Sequence, residues 1–191
     1  MTTKNNYLLK AHEIFFQRTV ELNNEVKALS KRLSPDELRE HETVKFAHKV
    51  YKATLETIPE HPDHPAYRLH ADLKKYRRYK QGLGRYRLFF AFSTTPKIIL
   101  YLYLNDRASL RKEGDKNDPY ERFRRFVRQG RVSHDPLEMK KRANMPRSQR
   151  GRRFRAALQA VNRRHRRTLQ HLASVSPDFR SSGDTIPNSA R

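Results

Sequence analysis

Cysteine is absent from all 191 residues. That excludes disulfides, thiolate zinc sites and thiol nucleophiles, and it fits a reducing compartment. Long apolar runs are missing as well. The longest, residues 98–104, is far short of the roughly 20 residues that cross a bilayer as a helix. The first six residues are polar and lack the apolar segment of a secretory signal. A soluble, cytoplasmic protein is the expectation. Only 36% of the residues are hydrophobic, so one packed domain with an unpacked extension is expected. Acidic residues are scarce: 20 Asp and Glu face 42 Lys and Arg, a formal charge of +22. Such a charge concentrates polyanions at the surface, and nucleic acid is the usual one.

What is present is concentrated in residues 81–106, QGLGRYRLFFAFSTTPKIILYLYLND. Apolar side chains alternate there. Tyr86, Leu88, Phe90 and Phe92 fall on one face of a strand, and Arg85, Arg87, Phe89 and Ala91 on the other. The run 98–104 follows a Thr94-Thr95-Pro96 turn. Period-two patterning with aromatic and β-branched enrichment predicts an antiparallel hairpin.

A second basic strand is expected just before it, at Tyr76-Arg77-Arg78-Tyr79-Lys80. Gly82-Leu83-Gly84 reads as the hairpin turn between them, not as a phosphate-binding loop, since no Gly-Lys-Ser/Thr follows. With a four-residue connection, Lys80 opposes Arg85 and Arg78 opposes Arg87, and all four cations share a face. A three-residue connection puts Tyr79 opposite Arg87 and breaks the cluster. Like charges in register destabilise a sheet, so the clustered arrangement asks for an anion. The alternative is a solvated face whose long side chains lie over apolar neighbours.

Helical spacing of Ala11, Phe15, Leu22, Val26, Leu29 and Leu33 predicts an amphipathic helix over about 10–33. Ser34-Pro35-Asp36-Glu37 is a capping box with proline at the first helical position. The helix it opens carries Val44, Ala47, Val50, Tyr51, Leu55 and Ile58 inward and should stop at Pro59. Residues 66–70 read as a short strand and 71–75 as a connector. His61, His64 and His70 have no carboxylate at a recognised ligand spacing, so no metal site is read from them. Asp118-Pro119 caps a further helix. Its apolar stripe is Tyr120, Phe123, Phe126 and Val127, its polar face holds Arg122, Arg124, Arg125 and Arg128, and it ends at Gly130. From about residue 138 the character changes. Residues 140–173 contain twelve Lys or Arg and no Asp or Glu, and 174–191 are rich in Ser, Pro, Gly and Asn. A basic, partly helical or disordered tail over 138–191 is expected, either an arm that orders on nucleic acid or a solvated tail.

The strings GRYRLFF, KIILYLYLND, ASLRKEG and DPYERFRRFVRQG, with AHEIFFQRTVELNNEV and PAYRL upstream, resemble the YhaV family of toxins. That family belongs to type II toxin–antitoxin systems and to the wider RelE/ParE superfamily. The resemblance covers about residues 7–136, placing the toxin domain at 7–137 and saying nothing of the tail. It implies an α+β fold with an N-terminal helical hairpin on a small antiparallel sheet, followed by a further helix.

The function it implies is a metal-independent endoribonuclease, without cofactor, that cuts mRNA in association with the ribosome and so stops translation. The RNA 2′-hydroxyl attacks the adjacent phosphate and leaves a 2′,3′-cyclic phosphate end. Like-charge crowding would make a lysine a better base, and arginines would stabilise the charge growing on phosphorus. The resemblance puts the catalytic set on Arg78, Lys80, Arg87, either Arg107 or Arg111, and Tyr120, which could stack on a base or donate to the phosphate. Where the superfamily's namesake has two lysines this chain has Arg78 and Lys80, leaving Lys80 as the base. Arg85, Lys112, Arg124 and Arg128 are expected to bind RNA, and His134 is a weaker acid–base candidate. A small PrlF-like antitoxin is the implied partner, in a complex that binds operator DNA. Two other readings compete: a ParE-like toxin that inhibits a protein target, and a nucleic-acid-binding module without catalysis.

Overall fold

The computed structural model describes residues 3–4 and 7–136. Its centre is the expected hairpin: β4 (Leu88–Thr94) and β5 (Lys97–Leu104) pair antiparallel, closing at Thr95 and Pro96 through a cis peptide bond. β3 (Arg77–Tyr79) lies antiparallel on the far side of β4. On the other side, β2 (Tyr7–Ala11) runs parallel to β5, and β1 (Thr3–Lys4) pairs antiparallel with β2. The order is β1-β2-β5-β4-β3, so the sheet is mixed and not purely antiparallel.

Both faces of the hairpin are buried, which is why residues 98–104 form an unbroken apolar run. Leu88, Phe90, Ile99, Tyr101 and Leu104 face a layer containing Phe15, Leu22, Val50 and Ile58. Phe89, Ala91, Leu100, Leu102 and Tyr103 face Phe123, Leu73, Tyr76 and Val132. A bulge interrupts the ladder, since Phe89 opposes Tyr103 while Phe90 opposes Tyr101. Leu102 is the extra residue, and consecutive residues Leu102 and Tyr103 therefore share a face.

The first helix is shorter than the spacing predicts. Tyr7, Leu9 and Ala11 alternate against the core as a strand, and α1 (Glu13–Leu29) begins only after His12, whose Nδ1 accepts from the Ile14 amide. Leu33 lies beyond its end. The capping box at Ser34 opens α2 (Pro35–Glu40) as expected, but His41 turns extended and caps α3 (Glu42–Lys52), so one predicted helix is two. The helical path then continues through a π turn (Ala53–Thr57) and α4 (Ile58–Glu60). Pro59 does not stop the helical path as expected: it lies inside α4, directly after the π turn, and the path ends one residue later at Glu60. Tyr51 donates to Asn23 Oδ1 at 2.6 Å and ties α3 to α1. The strand predicted at 66–70 is instead a 3₁₀ turn (Pro65–Tyr67) and one bridge, Arg68 to Arg77. His64 is used as a cap, its Nδ1 accepting from the Ala66 amide.

On the opposite face lies α5 (Pro119–Arg128), capped by Asp118. Its Phe123 is fully buried, stacked on Phe89 at 4.3 Å and edge-on to Tyr76 at 5.1 Å. The expected stop at Gly130 holds: its φ of 64° suits glycine, and the Arg131 amide closes back on the Phe126 carbonyl.

The candidate active site around Tyr120

β3 and β4 are joined by residues 80–87, longer than either turn considered from the sequence. Gly82 (φ 68°) and Gly84 (φ 57°) take left-handed conformations, while Leu83 between them is 3% exposed and anchors the loop in the core. The observed register sets Arg78 opposite Phe89 and Tyr79 opposite Leu88. This is two residues from the four-residue alternative, and a shift of two preserves faces. Arg78 and Arg87 therefore share the face of Phe89, which is covered by α5 rather than being a solvent-side face.

Arg87 is the last residue before β4. Its amide donates to the Asn105 side chain at 2.5 Å, and its Nη1 donates to the Gly84 and Tyr86 carbonyls, both at 2.7 Å. Arg78 donates through Nη2 to the Ala66 carbonyl, at 3.4 Å. The Nε atoms of both arginines are buried without a hydrogen-bond partner among the described residues. Burial lowers the pKa of Arg78 from the ordinary guanidinium value. Tyr120 opposes this shift, and the like charge of Arg87 adds to it.

Neither guanidinium meets a carboxylate among the described residues, whereas most of the surrounding arginines do. Arg77 is bonded to Asp63, Arg122 lies 3.6 Å from Asp106, and Arg124 bridges Asp72 and Glu121. A half-buried charge without a counter-ion costs free energy that an incoming anion would return.

Tyr120 is the hub of the site. Its ring meets Phe89 edge-on at 5.4 Å, and the Arg111 guanidinium carbon lies 5.2 Å from its centroid. Arg111 is held by Asp118 at 2.5 Å and by Glu113 at 3.3 Å. Of the two arginines considered after the last strand, Arg111 adjoins Tyr120, while Arg107 is engaged with Glu42 and Thr43 of α3. Arg85 joins the rim through reciprocal bonds of 3.0 Å with the Arg111 backbone. Lys80, exposed, is the first residue past the last rung of β3, and Arg87 is the last before β4. Lys112 is exposed near Asp115, Arg128 is exposed at the end of α5, and His134 lies edge-on to Tyr76 at 6.1 Å.

Two residues of this site escape a sequence reading. Asn105, fully buried, links Arg87 to the Ser109 carbonyl. Asp118, 3% exposed, links Arg111 to α5. The only sequence signals were the Asn-Asp pair after β5 and the Asp-Pro cap. A separate cavity of about 540 Å³ opens beside α1, β5 and α5, where Arg18 pairs with Glu21 and Glu25.

A family described as a toxin with endonuclease activity, of a toxin–antitoxin system, matches residues 9–144. The chain belongs to the YhaV toxin family. It is 34% identical over 139 residues to a protein named toxin YhaV from Escherichia coli O6:H1, covering 70% of this chain and 88% of that one. The same figures hold for the protein named ribonuclease toxin YhaV from Escherichia coli K12. Among solved structures, the RelBE2 toxin–antitoxin complex from Mycobacterium tuberculosis aligns with a TM-score of 0.35 at 15% identity, over 53% of this chain and 92% of that one. The YhaV family description makes this chain a toxin with endonuclease activity whose system includes an antitoxin. No helix among the described residues is long and apolar enough to cross a membrane.

Proposed function

We propose that this YhaV-family toxin cleaves RNA by internal transesterification, without a metal ion. The observation that carries the reading is the half-buried pair Arg78 and Arg87, with Arg78 next to Tyr120 and neither meeting a carboxylate among the described residues. A phosphodiester is an anion matched to that pair. In the reaction the 2′-oxygen attacks phosphorus, the 5′-oxygen leaves and takes a proton, and a 2′,3′-cyclic phosphate and a 5′-hydroxyl result. The guanidiniums stabilise charge growing on the phosphorane oxygens, Lys80 removes the 2′-proton, and Tyr120 with Arg111 positions the neighbouring nucleotide or phosphate. The substrate is cytoplasmic mRNA on the ribosome, and the partner is a PrlF-like antitoxin whose complex with the toxin binds operator DNA.

The test incubates purified protein with RNA in excess EDTA. Cyclic-phosphate ends are expected, and a single 2′-deoxy substitution at the cut should block it. Cleavage that vanishes with EDTA, or binding without cleavage, would overturn the reading.

Lys80 gives a sharper result. Lys80→Arg keeps the charge but cannot readily lose a proton. It should retain RNA binding better than Lys80→Ala while both lose cleavage. A Lys80→Arg variant that cuts at the wild-type rate would make Lys80 a phosphate clamp.

The basic tail lies outside the described residues, and its charge supports a role as an arm for RNA. Removing residues 140–191 should flatten the salt dependence of RNA binding. The log–log slope should fall by about 0.7 for every phosphate that the tail had neutralised. Sequence preference should be unchanged. Equal slopes in a salt titration would show that the tail neutralises no phosphate.

A further inference from the structure

We infer that Asp118 is a positioning residue for RNA cleavage, one buried carboxylate that sets Arg111 and Tyr120 relative to each other. The inference rests on the nuclease reading above. Asp118 Oδ1 accepts from the Tyr120 amide at 2.9 Å and so fixes the first turn of α5. Its Oδ2 accepts from Arg111 Nη1 at 2.5 Å and from the Lys112 amide at 3.0 Å. The side chain of Asp118 is 4% exposed and that of Arg111 28%, so the pair is screened from solvent far more than an exposed ion pair would be.

The geometry gives the carboxylate two duties that a helix cap alone does not require. As a cap, it needs only one oxygen. The second oxygen takes the guanidinium of the residue stacked on Tyr120, along with the backbone of the loop carrying that residue. The same loop is pinned on its far side, where the Arg111 amide donates to the Arg85 carbonyl and Arg85 Nε donates to the Arg111 carbonyl, both at 3.0 Å. Arg85 lies two residues before Arg87. Asp118 thus closes a circuit from the Arg87 loop, through Arg111, to the ring of Tyr120. It touches no substrate in this role. It holds two groups that do, and a displacement of about 1 Å at such groups can cost on the order of 100-fold in rate.

Asn and Ser both cap helices well, so Asp118→Asn and Asp118→Ser separate the two duties. Each keeps an acceptor for the Tyr120 amide, and each loses the charge that orders Arg111. Both should still fold, with the thermal midpoint lowered by several degrees because Arg111 and the Lys112 amide lose an acceptor. On a short RNA in EDTA, kcat should fall about 10- to 100-fold with KM changed less than threefold. Combined with Arg111→Lys, either variant should lose little more than Arg111→Lys alone, because the two residues act as a unit.

Wild-type kcat in Asp118→Asn, or losses that multiply in the double variant, would overturn the inference while the nuclease reading stands. A fall in kcat that disappears at temperatures where each variant is fully folded would reduce Asp118 to a structural group and equally overturn it. A wild-type protein inert on every RNA would remove the nuclease reading, and the positioning role with it.

Discussion

Replacing Arg87 with alanine should lower the rate of RNA cleavage on the order of 10²–10³-fold, the usual loss for one donor aimed at developing charge, and leave the protein folded. The two halves of this expectation have separate origins. Loss of rate follows from the guanidinium's proximity to Arg78, which itself neighbours Tyr120. Retention of fold follows from what the side chain does in the ground state. It donates to two nearby carbonyls, Gly84 and Tyr86, and leaves its buried Nε without a partner. Removing a half-buried, incompletely satisfied charge relieves like-charge repulsion with Arg78, so the thermal midpoint should hold or rise. Single-turnover cleavage and thermal unfolding of the same preparation check both halves. A rate within threefold of wild type would take Arg87 out of the site.

Asn105→Ala should act in the opposite order, destabilising first. Asn105 is fully buried. Its Oδ1 takes the Arg87 amide at 2.5 Å and its Nδ2 donates to the Ser109 carbonyl at 2.7 Å. Alanine strands both backbone groups away from water. At about 1–3 kcal/mol for each unsatisfied group, a loss of roughly 2–6 kcal/mol is expected. Urea denaturation measures it, and a loss below about 1 kcal/mol, less than the cost of even one unsatisfied group, would mean that the 105–109 turn finds other partners. In the folded fraction, activity should also fall, because the amide released belongs to Arg87.

The central hairpin and α5 were legible because each announces itself locally. Alternating aromatics mark 86–92, and Asp118-Pro119 followed by Tyr120 and Phe123 marks a capped amphipathic helix. β2 was hidden because Ala11 fits helical spacing with Phe15 as well as it fits strand spacing with Tyr7 and Leu9. The connection 80–87 misled for a physical reason. Two glycines suggest a tight turn, but Leu83 between them is drawn into the core and lengthens the loop. The face shared by Arg78 and Arg87 survived that error because the register moved by two and not by one. At the site, the choice between Arg107 and Arg111 depends on which carboxylate each meets, Glu42 or Asp118. Such partnerships are tertiary and leave no local pattern.

The bulge at Leu102 has a consequence for how the molecule tolerates change in length. Side chains on a regular strand keep their parity, so had all of 98–105 stayed in an unbulged ladder, Tyr103 and Asn105 would continue on the side of Ile99 and Tyr101. The added residue resets the count, and Tyr103 turns to α5. The same count carries Asn105 to the side where it receives Arg87. Loss of Leu102 alone would only straighten the ladder, whereas a one-residue change that the bulge does not absorb would exchange the faces at the strand's exit and misdirect the polar group that secures the loop of Arg87.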